Sequence, residues 1–150
     1  MDDKNLNTGL SYTVTYSGLA HSLNTPVYVI SAIKPGIKIQ IDALWDTGAS
    51  CSLIRPEVAA KLNLKPISKT LISTPTDKDV PSNIYVIHIY LPNGSRIFDV
   101  HVLEGTPNNC DMLIGMDVIS LSDFAITNHN DRTMFSFRMP SMTEIDFCEH

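Results

Sequence analysis

The chain has 150 residues, of which 43% are apolar and 18% charged, with a formal net charge of −5. That length suits one domain able to bury roughly 68–70% of its unfolded surface, and the composition is that of a folded chain. Scattered cations offer no basic stripe to a phosphate backbone, and no apolar run approaches the ~20 residues of a membrane helix, so nucleic acid and membrane are both excluded as partners.

The opening, MDDKNLNTGL, is polar and acidic and does not read as a signal peptide, which makes a reducing cytoplasm the expected location. YTVTY (12–16) is the first predicted strand, closed by Ser17-Gly18. PVYVISAI (26–33) and IKIQI (37–41) flank the turn KPG and predict a hairpin. In IKIQI the isoleucines share one face, and Lys38 and Gln40 share the other, the period of a half-buried strand. The apolar residues Ala43, Leu44 and Trp45 then run straight into Asp46-Thr47-Gly48-Ala49-Ser50. Asp and Gly are ordinary turn residues, but an acid placed against a core is costly unless it is paired or hydrogen-bonded. Asp46 is therefore either a satisfied turn residue or an acid that a site requires.

CSLI (51–54) predicts a short buried strand, and RPEVAAKLNL a helix over 56–63. In it, Pro56 suits the first turn, Glu57 the positive N-terminus, and Val58 and Leu62 share a face; Pro66 is expected to end it. KTLIS (69–73) and NIYVIHIYL (83–91) flank TPTDKDVPS as a long hairpin with an exposed tip. PNG turns into SRIFDVHVLE (95–104), and DMLIGMD (111–117) holds a short apolar strand ending at Gly115. VISLSDF is read as a helical turn, and FAIT and TMFSF pair across NHNDR as a last hairpin. There is no internal repeat, low-complexity tract or linker. The expectation is one mainly β domain over 1–150, with a core at about 11–138, mobile termini, and a closed or sandwiched sheet.

Asp46-Thr47-Gly48-Ala49 after an apolar strand, Leu113-Ile114-Gly115 further on, and a hairpin between them together resemble the retropepsin-like aspartic protease family. The resemblance implies a closed β-barrel with a psi-shaped loop, a flap hairpin and one or two short helices. It implies that Asp46 is the catalytic acid, that Thr47, Gly48 and Ala49 support its loop, and that Leu113, Ile114 and Gly115 thread through it. Its chemistry is peptide hydrolysis by two carboxylates sharing a proton across a water, with no metal and no cofactor. The chain has only one D-[TS]-G, so the second carboxylate is expected from a second copy in a two-fold homodimer acting on a peptide or protein substrate. Residues 11–16 and the hairpin 124–138 are the candidate dimer sheet.

Two features depart from viral members of that family and resemble cellular or bacterial ones. Met116 and Ser50 stand where an Arg–acid pair fixes the viral loop, and no Gly occurs between Gly48 and Gly94, where viral flaps are glycine-rich. The Gly-free hairpin leaves a catalytically inactive peptide-binding or dimerisation module as the alternative. A third reading, phosphotransfer through a D-x-G-[TS] nucleotide loop, fails because such folds need two large lobes and a second loop. Of the remaining residues, Asp117 reads as a helix cap after Gly115 or as a brace for the motif loop. His88 and His101 read as sheet histidines that could face each other, two being too few for a metal site. Three cysteines without CxxC spacing form no disulfide framework or zinc site, and Cys51 and Cys110 read as buried thiols, neighbours if the psi unit forms.

Overall fold

The computed structural model describes residues 10–149; the acidic opening segment 1–9 lies outside them. The strands are β1 Leu10–Thr15, β2 Asn24–Ser31, β3 Lys38–Trp45, β4 Leu53–Ile54, β5 Ser68–Ile72, β6 Val80–Tyr90, β7 Arg96–Glu104, β8 Met112–Ile114, β9 Asp123–Thr127 and β10 Met134–Met139. Two short helices, α1 Pro56–Lys61 and α2 Met116–Ile119, interrupt them. The described chain gathers into two compact units, residues 21–120 and residues 10–20 with 121–149.

In the larger unit β2, β3, β8, β4, β7 and β6 pair in that order, and β6 pairs back onto β2, closing a six-stranded barrel with β5 as an outer strand on β6. Alternation places Val27, Val29, Ile41, Ala43, Trp45, Ile87, Ile89, Val100 and Val102 inside, all buried. Each fully buried Val or Ile among them contributes about 1.5–3 kcal/mol relative to exposure. The expected hairpin around KPG forms, with Val27 opposite Ile41. The first isoleucine of IKIQI lies outside the strand: β3 begins at Lys38, and Ile37 stays in the exposed turn.

Helix α1 starts on Pro56 as expected, but it ends at Lys61 rather than running to 63 or waiting for Pro66. Asn63 takes a left-handed φ of 51°. Its N–H donates to the Ala60 carbonyl at 3.0 Å, and the Leu64 N–H reaches back to the Ala59 carbonyl at 2.9 Å. These paired bonds satisfy the last carbonyls, and asparagine tolerates the αL position they need. The predicted helical turn in VISLSDF forms earlier, as α2, directly after Gly115.

The smaller unit is a three-stranded antiparallel sheet in the order β1–β10–β9. The last predicted hairpin is present, with Phe137 opposite Phe124 across β10 and β9. One face carries the buried Tyr12, Phe135 and Phe137, and the Phe124 and Phe135 rings lie 4.9 Å apart. The other carries Ser11, Thr13, Ser136 and Arg138, as period-two alternation requires. Among the described residues no helix is long and apolar enough to cross a membrane.

Candidate active site

β8 runs between β3 and β4, parallel to the first and antiparallel to the second. Ile114 stands opposite Trp45 on one side, and Leu113 opposite Leu53 on the other. The connection from β3 to β4, residues 46–52, therefore bends around the end of β8. This is the psi arrangement, and it brings the D-T-G-A segment onto the L-I-G segment.

Asp46 leaves β3 one residue after Trp45. Trp45 is buried, and its indole N–H donates to the Thr25 hydroxyl at 2.9 Å, which gives the ring the acceptor it needs in the core. The Asp46 N–H donates to the Ile114 carbonyl at 2.9 Å. Its half-buried carboxylate accepts the Gly48 N–H on Oδ1 at 2.8 Å. A charged acceptor on a backbone N–H makes a strong hydrogen bond and fixes the carboxyl orientation. A Cβ on Gly48 would stand 3.1 Å from that same oxygen, so glycine keeps the approach open. Thr47 and Gly48 are exposed, and Ala49 is half-buried.

The second segment is in main-chain contact with the loop. The Met116 N–H donates to the Ala49 carbonyl at 2.8 Å. A Cβ on Gly115 would lie 2.8 Å from both the Ala49 and the Cys51 carbonyl oxygens, inside any permitted contact. Only glycine fits there.

Asp117 is not a helix cap. Gly115 occupies the N-cap of α2 with no side-chain cap bond. The Asp117 carboxylate instead turns to the loop: it accepts the Ser52 N–H on Oδ2 at 3.0 Å and the Ser52 hydroxyl on Oδ1 at 2.8 Å. The Ser52 hydroxyl in turn accepts the Gly115 N–H at 3.1 Å. Those bonds brace the loop where Met116 and Ser50 leave no ion pair. Ser52 and Thr25 are site residues that the sequence reading missed. Ser52 lies within the predicted strand CSLI, where a hydroxyl calls for a buried partner, whereas Thr25 precedes the predicted strand 26–33 and gave no such signal.

A further brace comes from Arg55, also unassigned from sequence. Its guanidinium donates to the Cys110 and Pro107 carbonyls, both at 2.6 Å, tying the approach to β8 to the start of α1. Cys110 is buried, and burial, with the charge of Asp42 second, pushes its thiol pKa up. Cys51 is exposed, contrary to expectation, because residues 47–51 bend outward before Ser52 turns in. His88 and His101 do not face each other: His101 stands opposite Val86, and a register shift intervenes between Ile87 and Ile89. His88 Nδ1 accepts the Asp99 N–H at 3.1 Å, and its ring meets Phe98 edge-on. Among the described residues no group of three or more His, Cys, Asp and Glu is arranged to hold a metal.

A family model described as Aspartyl protease matches residues 35–118. No curated protein matches the sequence. Among solved structures the chain is similar to a retropepsin-like aspartic protease from Rickettsia conorii, at 13% identity and a TM-score of 0.57. That similarity covers 87% of this chain and 95% of the other, and it identifies the fold as retropepsin-like. The chain is also similar to EIAV protease complexed with the inhibitor HBY-793, at 20% identity, a TM-score of 0.46, and coverage of 71% and 92%. A third similarity is to the retroviral protease-like domain of Ddi1 from Leishmania major, at 17% identity, a TM-score of 0.43, and coverage of 73% and 91%.

Proposed function

The chain belongs to the aspartyl protease family, and from that premise we propose that it is an aspartic endopeptidase whose catalytic acid is Asp46. The observation that carries this reading is the Asp46 carboxylate at the mouth of the psi loop, aligned by the Gly48 N–H. Family membership supports protease chemistry in general; the assignment of Asp46 rests on this geometry.

One D-T-G per chain leaves one carboxylate where the chemistry needs two. The active form is accordingly a homodimer, with the Asp46 pair on its two-fold axis. Like charges about 3 Å apart do not both ionise, so the pair holds one proton between them. The ionised member takes a proton from water as the water attacks the scissile carbonyl, and the protonated member polarises that carbonyl oxygen. The pair titrates as a unit. Thr47 and Ala49 support the loop, and the β5–β6 hairpin acts as the flap over an extended peptide or protein substrate. The β1–β10–β9 sheet supplies the dimer strands. No cofactor takes part in the reaction.

Asp46→Asn tests the catalytic role. Peptide-library cleavage by the wild type is expected to fall by at least about 10²–10⁴-fold in the variant, the range typical of removing a general base. Equal cleavage by the two proteins sinks the assignment. Sedimentation tests the assembly: activity should follow the dimer fraction on dilution.

One observation favours the second reading, a peptide-binding module that does not cut. The hairpin tip is closed on itself, with the Thr74 N–H donating to the Asp77 carbonyl at 2.7 Å and the Asp77 N–H to the Thr74 hydroxyl at 2.9 Å. Asp79 adopts a positive φ of 56° where a glycine would be unstrained. A tip held this way resists curling over substrate. This reading predicts a dimer that binds extended peptides and never cleaves them.

A further inference from the structure

We propose that Asp117 is a positioning residue for Asp46, acting through Ser52, and that it does so because its two carboxyl oxygens satisfy the direction of these bonds where an amide cannot. The proposal rests on the reading of Asp46 as the catalytic acid.

Ser52 is fully buried. It presents two donors to Asp117, its N–H to Oδ2 and its hydroxyl to Oδ1, while its hydroxyl oxygen takes the Gly115 N–H. Asp117 must therefore accept at both of its atoms. A carboxylate does so; the amide of an asparagine has one accepting oxygen and one donating nitrogen. With that nitrogen toward the Ser52 N–H, two donors oppose each other. With it toward the hydroxyl, the hydroxyl oxygen accepts twice and its proton is left without an acceptor in a buried site, which is costly. Two accepting oxygens are required at 117.

The bonds reach the catalytic end through main chain alone. Around Gly115, held by Ser52, the Ala49 and Cys51 carbonyl oxygens leave no room even for a Cβ. Ala49 accepts the Met116 N–H, and Asp46 is bonded to Ile114. Loosening Ser52 thus frees the segment that fixes both ends of residues 46–49, including the Gly48 N–H that orients the Asp46 carboxylate. A local bonding network of this kind acts as a unit, so its members are expected to couple rather than add.

The test uses full-length protein with 15N labels, in four forms: wild type, Asp117→Asn, Ser52→Ala and the double variant. Amide exchange at Ser52 and Gly115 is expected to speed up by about tenfold or more in each variant, with Val27 and Val102 unchanged, the pattern of a local opening. The Gly48 amide resonance should move, because its N–H is bonded to the Asp46 carboxylate. With a quenched peptide substrate, kcat should fall by about 10–100-fold with KM within about twofold, a loss confined to the transition state. The double variant should lose less than the product of the single losses. Faster exchange everywhere, or a Gly48 resonance and kcat unchanged in both single variants, overturns the proposal. A wild type that never cleaves, with the exchange and Gly48 changes as expected, overturns the peptidase reading and leaves the positioning of the Asp46 loop standing. If Asp117→Asn does not fold, Ser52→Ala carries the same comparisons.

Discussion

The psi loop at 46–52 and the hairpin tip at 73–79 are both short polar bends on one barrel, and they are held by opposite means. Residues 46–52 are bonded to residues 114–117, more than sixty positions away in the chain, through Asp46 to Ile114, Ala49 to Met116 and Ser52 to Asp117. The tip is bonded to itself, through Thr74, Thr76 and Asp77. A bend held by distant segments keeps its shape only while the whole barrel is folded, and it keeps that shape tightly. A bend held by neighbours has a shape of its own and few constraints on where it points. Site geometry needs the first kind; a bend of the second kind keeps its own curl wherever the hairpin carries it.

That contrast can be broken from either side. The largest effect on activity is expected from Asp46→Asn, with thermal unfolding almost unchanged, because the amide oxygen still accepts the Gly48 N–H. Gly115→Ala should be the most destabilising single change. Its Cβ meets two backbone oxygens at 2.8 Å that have no freedom to turn away, and overpacking of this kind costs about 1–3 kcal/mol. Urea unfolding measures it, and a midpoint equal to wild type would show that the two segments are looser than described. Thr25→Val removes the hydroxyl that accepts the Trp45 indole N–H, at about 0.5–1.5 kcal/mol. A thermal melt of that variant should fall by several degrees.

Asp123 lies between the two extremes, since it binds a non-local but surface segment. Its carboxylate accepts the Ser141 hydroxyl at 2.6 Å, the Met142 N–H at 3.0 Å, and the Arg138 guanidinium. Those bonds, Ser141 first, hold its pKa well below the usual carboxylate range. A lowered folded-state pKa means stability that is present above the unfolded value, near about 3.9, and lost as pH falls below it toward the folded value. Wild type should therefore lose more stability between pH 6 and pH 3 than Asp123→Asn does, as read by denaturant melts at each pH. The smallest effect is expected from Thr74→Ala, within about 0.5 kcal/mol, because the bonds it removes are exposed and water replaces them. A shift in its urea midpoint as large as that of Thr25→Val would erase the distinction between tip and loop.

Much of this was readable in one dimension. Period-two alternation in 26–33 and 83–91 marks strands because each alternate residue meets the barrel interior. Pro56 and Glu57 mark the start of α1 because their effects act within one helical turn. The D-T-G-A and L-I-G segments are local strings, and the need for glycine at 115 is carried by one residue type. The end of α1 is local too, but its signal, Asn63 in αL, is weaker than the proline that follows.

The role of Asp117 was not decided at that level. As a string, Gly115-Met116-Asp117 starts a helix, and an acid there is a reasonable cap. Its two acceptors turn instead to Ser52, whose donors are buried and have no water to meet. The same holds for Thr25 under Trp45, and for Arg55 on the Cys110 and Pro107 carbonyls. Hydrophobic pattern and turn chemistry depend on a residue and its few neighbours, so the chain states them directly. Which buried donor meets which acceptor depends on strands that become adjacent only when the sheet closes, and that pairing belongs to the folded barrel.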